Sequence, residues 1–136
     1  MAKTFTAAFA QTPRTAQALV TASSASINTT TPTNVTLLAT AGADGSILTS
    51  LSAITGSTNA GSSVLLWISK DGGTTKYLAD CAVLEAYSNS TTAVRVKVIF
   101  ADITEANPMR LEAGDELYVG AELTGAYHFK AELTDY

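Results

Sequence analysis

The sequence predicts an all-β protein, a two-sheet β-sandwich that is jelly-roll-like and has about seven or eight short antiparallel strands. Apolar and polar residues alternate with period two in several segments, which is typical of half-buried strands. Turn sequences rich in Gly, Asn and Ser separate these segments at intervals of about 8 to 14 residues. Threonine occurs 21 times among 136 residues, and only 15% of the residues are charged. This composition suits strands and turns better than helices.

Length, charge and cysteine content exclude several classes of protein. A chain of 136 residues is long enough to bury the core of one domain, and we expect no second one. The net charge of -4 and the lack of a Lys/Arg cluster argue against binding to nucleic acid or to an anionic membrane surface. A single cysteine, Cys81, excludes an intramolecular disulfide and a thiolate metal site, and its apolar neighbours predict a small buried side chain.

Residues 1–33 are predicted to be an extended N-terminal arm that precedes a β-sandwich domain of residues 34–136. The arm is rich in Ala, Thr and Ser and has little periodicity, although Ala18–Val20 could form one short strand. Two interpretations stay open, a loose terminal segment and an arm that lies on a neighbouring subunit. Thr4–Ala10 is too polar and too short for a secretory signal, so we expect the protein to be made in the cytoplasm.

The sandwich domain begins with two apolar, β-branched segments, Val35–Ala41 and Ile47–Ile54. The connection between them contains Asp44-Gly45, and Asp-Gly is among the strongest short signals for a hairpin. We therefore predict that these two segments pair with each other.

A loop at Gly56–Ser63 precedes the continuous apolar run Val64–Ile68, which is typical of a strand buried on both sides. We expect this strand to be central in its sheet. Lys70–Thr74 reads as a turn, and Thr75–Leu78 as a returning strand. Leu78–Tyr87 fits helical and extended spacing, and we interpret it as a strand.

The last three strand predictions rest on alternation alone. Val94–Phe100 alternates apolar with mainly polar residues, and so do Leu117–Leu123 and Tyr127–Leu133. Cross-strand partners within one sheet must share a face, so a loop of Thr124, Gly125 and Ala126 would pair Leu123 with Tyr127 in a closing hairpin. In this register Glu122 lies opposite His128 on the outer face.

The residues give no catalytic, cofactor-binding or metal site. His128 is the one histidine, and its position on the polar face of a strand predicts a solvated pair with Glu122 rather than a catalytic base. Asp44, Asp71 and Asp115 each lie next to a glycine, where turns place Asp for backbone hydrogen bonds. A calcium site at Asp71 or Asp115 is the alternative, although no Asp-x-Asp-x-Asp spacing supports it.

Two further alternatives concern carboxylates and aromatic residues. Glu112, Asp115 and Glu116 could act as an acid/base pair only in a cleft with aromatic platforms, and the aromatic residues are predicted to lie in the core. Trp67 and Tyr87 could stack on a sugar, but Trp67 lies inside an apolar run and is predicted to be a core residue.

Three segments together resemble small virion structural proteins of tailed bacteriophages, among them capsid decoration, or cement, proteins. These segments are Thr36–Ser46 with the apolar strand behind it, Leu66–Thr75, and Leu111–Gly120. The resemblance covers roughly residues 33–136, and its motifs are turns and strands without catalytic residues.

The resemblance implies a non-enzymatic protein on the capsid surface of a virion, with no cofactor. Its expected partner is the major capsid protein, whose lattice it would bind, most simply as a homo-oligomer with a trimer favoured. Many weak contacts on a lattice gain strength through effective concentration. The alternative is a module associated with a tail or head fibre that binds a host receptor or glycan through exposed loops such as Gly56–Ser63.

Overall fold

The computed structural model describes Ala10 and residues 12–136, and over this part of the chain it is all-β with no helix. The predicted two-sheet β-sandwich is confirmed, with nine strands where about seven or eight were expected. The strands are β1 Thr12–Val20, β2 Thr36–Thr40, β3 Ser46–Thr55, β4 Ser62–Ser69, β5 Tyr77–Leu84, β6 Lys97–Ile99, β7 Met109–Leu111, β8 Glu116–Ala121 and β9 Tyr127–Asp135.

The strands form a five-stranded and a four-stranded antiparallel sheet. The five-stranded sheet has the order β1-β9-β3-β6, and β7 pairs with β3 as well. β6 pairs with Ser52–Ile54 and β7 with Ser46–Leu48, so these two short strands occupy the two ends of β3. The four-stranded sheet has the order β2-β8-β4-β5. Among strands that are consecutive in the described chain, only β4 and β5 are hydrogen-bonded to each other.

The two hairpins predicted for the β2–β3 connection and the β8–β9 connection are wrong. β2 and β8 lie in the four-stranded sheet, whereas β3 and β9 lie in the five-stranded sheet. Tyr127 therefore pairs with Val20 and Thr55, and not with Leu123. Strands in two facing sheets also direct their apolar faces toward each other, and a connection of a few residues spans the roughly 10 Å between sheets. Alternation is thus equally compatible with a hairpin and with a crossing.

The core lies between the two sheets and is built from alternating inward residues. On β9, Tyr127, Phe129, Ala131 and Leu133 are buried, while the residues between them are exposed, so the alternation predicted for this strand is confirmed. Each large apolar side chain buried in this way contributes about 1.5–3 kcal/mol. The inward side chains of the other strands that complete the core include Leu48, Leu51, Leu66, Leu84, Phe100, Leu117 and Val119.

β1 belongs to the five-stranded sheet. It pairs with β9 along its full length from Thr12 to Val20, so the short strand expected at Ala18–Val20 is part of a longer one. Arg14 fixes its first half, since Nε donates to Asp135 Oδ2 at 2.9 Å and Nη2 donates to the carbonyl oxygen of Thr40. The remainder of the predicted arm before this strand, residues 1–9 and 11, lies outside the described residues.

β4 is buried on both of its faces and is central in its sheet, as the sequence predicts. Val64 and Leu66 point into the core between the sheets. Leu65 and Trp67 lie on the opposite face because successive side chains alternate, and both are buried as well. Something must therefore cover the outer face of the four-stranded sheet.

The segment of residues 21–35 provides this cover. Ser24 N donates to the carbonyl oxygen of Ala121 at 2.7 Å, and farther along Lys76 N donates to Thr30 O at 2.9 Å. Gly120, on the outer face of β8, lets the segment approach closely, because a Cβ there would lie 3.0 Å from the Trp67 ring and closer still to Ser24 Oγ. Trp67 thus packs outside the sheet, beneath this segment.

Two further predictions are wrong in part. The strand expected at Val94–Phe100 is reduced to β6, and Val94 is 93% exposed. β3 ends at Thr55, whose N–H donates to Val96 O. Val94 and Arg95 therefore lie beyond the end of β3 and have no strand of the described chain to pair with.

Cys81 is exposed rather than buried, because it lies opposite Leu65 on the outer side of β5, at the edge of its sheet. The strand interpretation of Leu78–Tyr87 is confirmed as far as Leu84.

Gly120→Ala is expected to lower the free energy of unfolding by about 1–3 kcal/mol, since the new methyl group overlaps Ser24 and the Trp67 ring. Denaturant unfolding followed by Trp67 fluorescence measures the effect. The matched double variant Ser24→Gly/Gly120→Ala removes the closest contact and should recover part of the loss. Full stability in Gly120→Ala would contradict the packing of residues 21–35 on this face.

Candidate functional site

The outer face of the five-stranded sheet differs from that of the other sheet because no segment of the described chain covers it. Its outward residues form rungs across four strands. One rung runs Leu19, His128, Ile54, Lys97, and the next runs Gln17, Lys130, Ser52, Ile99. We call these two rungs the basic patch, because Lys97, His128 and Lys130 are its ionisable members.

The basic patch forms a shallow depression of about 510 Å³. Leu19 and Ile54 contribute apolar surface to it, and none of the described residues that line it is acidic. The nearest carboxylate along β9 is Glu132, 3.9 Å from the Lys130 ammonium, and both side chains are about half exposed. An ion pair of this kind contributes little, so Lys130 stays available for other partners.

His128 lies in this patch and not opposite Glu122, so the predicted pair is wrong. Its neighbours across the strands are Leu19 and Ile54, and the side chain is exposed as expected. Gly56 leaves room beside the ring, since a Cβ there would lie 2.8 Å from Nε2. A general base needs a group that orients it and a proton to accept. The cross-strand neighbours of His128 are aliphatic, and none of the described residues that line the depression is acidic.

Asp115 ties three connections together at one end of the sandwich. Its carboxylate is buried and accepts hydrogen bonds from Lys70 Nζ at 2.8 Å and from Glu112 N at 2.9 Å. Its carbonyl oxygen accepts from Ala41 N. The hydrogen bond to Asp115 raises the pKa of Lys70 above its usual value. The carboxylate is thus engaged in structural bonds, as expected for a turn residue.

Asp71 and Glu116 also bond locally, whereas Asp44 Oδ1 is buried without a hydrogen-bond partner among the described residues. Asp71 accepts hydrogen bonds from Thr75 N at 2.8 Å and from Ser69 Oγ at 2.9 Å, and the bond from Thr75 lowers the pKa of this carboxyl group. Glu116 accepts a bond from the Tyr118 hydroxyl at 3.1 Å. Over Ala10 and residues 12–136, no three His, Cys, Asp or Glu side chains are grouped so that they could hold a metal ion.

The two aromatic residues considered for sugar stacking are both buried. Trp67 lies beneath residues 21–35, and Tyr87 is 7% exposed. Tyr87 exchanges two backbone hydrogen bonds with Asn59, at 2.9 and 3.1 Å, which fixes the loop between β3 and β4. The loop Gly56–Ser63 is therefore held to the rest of the domain at its centre.

The sequence predicts which residues of the basic patch point outward on each strand, but it does not predict that these strands lie side by side. Alternation places His128 and Lys130 on the outer side of β9, and it places Lys97 on the outer side of β6. That these strands lie on either side of β3 follows only from the topology. The patch is therefore a functional candidate that single-strand patterns do not reveal.

Comparison of the chain with protein-family models, with curated proteins and with solved structures finds no match. Within the described part of the chain, no helix has the length and apolar character needed to cross a membrane.

Asp115→Ala is expected to lower the free energy of unfolding by about 1.5–3 kcal/mol, because it removes buried hydrogen bonds to a charged group. Chemical denaturation at neutral pH measures this. Glu112→Ala is the matched control, since that carboxylate is 84% exposed and lies 3.6 Å from the same ammonium of Lys70. The control should change stability by less than about 0.5 kcal/mol. Equal effects of both variants would contradict the structural role of Asp115.

Asp71 should titrate below its ordinary pKa of 3.8, since the folded state favours the charged carboxylate. Its contribution to stability is then complete above that pKa and is lost as the pH falls through the lowered value. NMR titration of the side chain measures the midpoint, and Asp71→Asn should flatten the loss of stability in this acidic range. A midpoint at or above 3.8 would contradict the hydrogen bonds at this turn.

Proposed function

We propose that this chain is a non-enzymatic structural protein of a tailed-phage virion, a capsid decoration protein that binds the lattice of the major capsid protein and stabilises the head. The observation that carries the proposal is the contrast between the two outer sheet faces. Residues 21–35 cover one face, and the described part of the chain leaves the other as an open surface of mixed apolar and cationic character. Such a surface suits contact with a partner better than catalysis.

The strand order supports assigning the sandwich as a jelly roll. One sheet contains β1, β9, β3 and the pair β6 and β7, and the other contains β2, β8, β4 and β5. Chains that alternate between two sheets in this way form the double Greek key found in capsid and lectin domains. Because a fold alone does not determine function, this order supports a virion role together with the surface and the resemblance.

One end of the sandwich is held in a way that suits a stabilising protein. Asp115 joins three connections at one end, and beside it Asp135 accepts hydrogen bonds from Arg14 of β1 and Ser46 of β3. A clamp between capsid subunits must resist deformation, and buried charge-assisted bonds are stronger than neutral ones. This rigidity is what the proposed role requires.

The proposed partner is the major capsid protein, and the resemblance favours a homotrimer on the capsid surface. Each copy would need only weak contacts, since neighbouring sites on a lattice raise the effective concentration of the second and third contacts. The proposed location is the virion surface, after assembly in the host cytoplasm.

Binding of a glycan or host receptor by a fibre-associated module is the competing function. It would use aromatic residues and free loops, but Trp67 and Tyr87 are buried and Gly56–Ser63 is held by the Asn59–Tyr87 bonds. The geometry therefore favours the decoration protein.

Purified protein is expected to co-sediment with expanded capsids assembled without it and to raise the temperature at which they release their DNA or break. The physical reason is linkage, since a ligand that binds only the intact lattice stabilises it. Co-sedimentation with the same capsids already saturated with the protein is the control. Failure to associate with capsids, together with binding to a host-cell glycan, would reject the proposal in favour of the fibre module.

A further inference from the structure

We propose that the basic patch takes an acidic segment of the partner protein, with an aliphatic side chain between its carboxylates. This inference rests on the proposed function, because it names the chemistry by which the capsid lattice would be recognised. It assigns a binding role to Lys97 and Lys130 and to the apolar residues of the same two rungs.

The charge of the basic patch favours an acidic partner. The whole chain has a net charge of -4, yet the lining of this depression contains Lys97, Lys130 and His128 and no acid. Cations that stand apart from the overall sign of a protein attract carboxylates and repel other basic surfaces, which gives specificity and speeds encounter.

The apolar surface within the patch favours a protein segment as its occupant. Leu19 is 49% exposed and Ile99 is 60% exposed, and each lies in the same rung as a lysine. Burying aliphatic surface of this kind on binding is favourable in proportion to its area. A phosphate backbone or a sugar does not supply an aliphatic side chain for this purpose, and a protein segment does. Phe129, the aromatic residue beneath the patch, is buried and offers no stacking face.

The spacing of the two lysines also fits an extended segment. Lys130 lies on β9 and Lys97 on β6, with β3 between them, and the two residues belong to adjacent rungs. Their backbones are therefore separated by two strand spacings across the sheet and by two residues along it, about 12 Å in all. Two carboxylates about three to four residues apart in an extended segment span a similar distance. An extended acidic segment that crosses the strands can therefore contact both lysines and place an apolar side chain between them.

The test uses the full chain and an acetylated, amidated peptide, Glu-Glu-Leu-Glu-Glu, titrated while backbone amide shifts are recorded by NMR at low and near-physiological salt. Lys97→Gln/Lys130→Gln removes the two ammonium groups without disturbing buried contacts. We expect shifts at the two rungs in the unchanged chain, and binding that is about five- to twentyfold weaker in the double variant. Added salt should weaken binding of the unchanged chain more than that of the variant.

Arg110→Gln is the matched control, since Arg110 is an exposed cation on β7, at the other end of β3. It should change peptide affinity less than about twofold. Three results would overturn the proposal: no shifts at the two rungs, tighter binding there of a sulfated oligosaccharide than of the peptide, or self-association of the chain that the double variant abolishes.

Capsid co-sedimentation with the same variants separates this inference from the proposed function. Weaker capsid binding by Lys97→Gln/Lys130→Gln, with Arg110→Gln unchanged, supports both. Undiminished capsid binding by the double variant overturns the role of the patch and leaves the decoration function standing. Peptide binding at the patch by a chain that never associates with capsids supports the patch and rejects the function.

Discussion

The pairing of β9 on both of its sides is the interaction on which the rest of the structure depends. β9 bonds to β1 along nine residues and to β3 along nearly the same length, so its register fixes the whole five-stranded sheet. The alternation that buries Tyr127 and Phe129 directs His128 and Lys130 outward. A slip by one residue would reverse both faces. Core and basic patch are therefore consequences of the same register.

The two sheets use their outer faces differently, and this difference organises the surface. The four-stranded sheet carries Leu65 and Trp67 outward, and residues 21–35 cover them with hydrogen bonds to Ala121 and Lys76. The absence of a side chain at Gly120 makes this approach possible. No described segment covers the five-stranded sheet in the same way, and its exposed aliphatic residues stand among lysines. Exposed aliphatic surface of that kind is typical of interaction sites, which is why we propose a partner for this face.

Sequence patterns predict the strands well and their partners poorly. The apolar run at Val64–Ile68 and the alternation at Tyr127–Leu133 identify strands and buried faces, because both depend on local period. Both incorrect hairpins fail because facing sheets and paired strands impose the same pattern. The patch could not be predicted, since Lys97 and Lys130 are 33 positions apart in sequence. They share one sheet face only because β3 pairs with the strands of both. The cover over Trp67 comes from a segment with almost no periodicity.

A reconstruction of an intact virion that carries this chain tests the central claim most directly, which is that an uncovered sheet face joins a rigid sandwich to a capsid lattice. The account predicts density for the chain on the outer capsid surface, with the five-stranded sheet turned toward an acidic segment of the capsid protein. Density at a fibre tip, or on the capsid with Lys97 and Lys130 facing solvent, would contradict it.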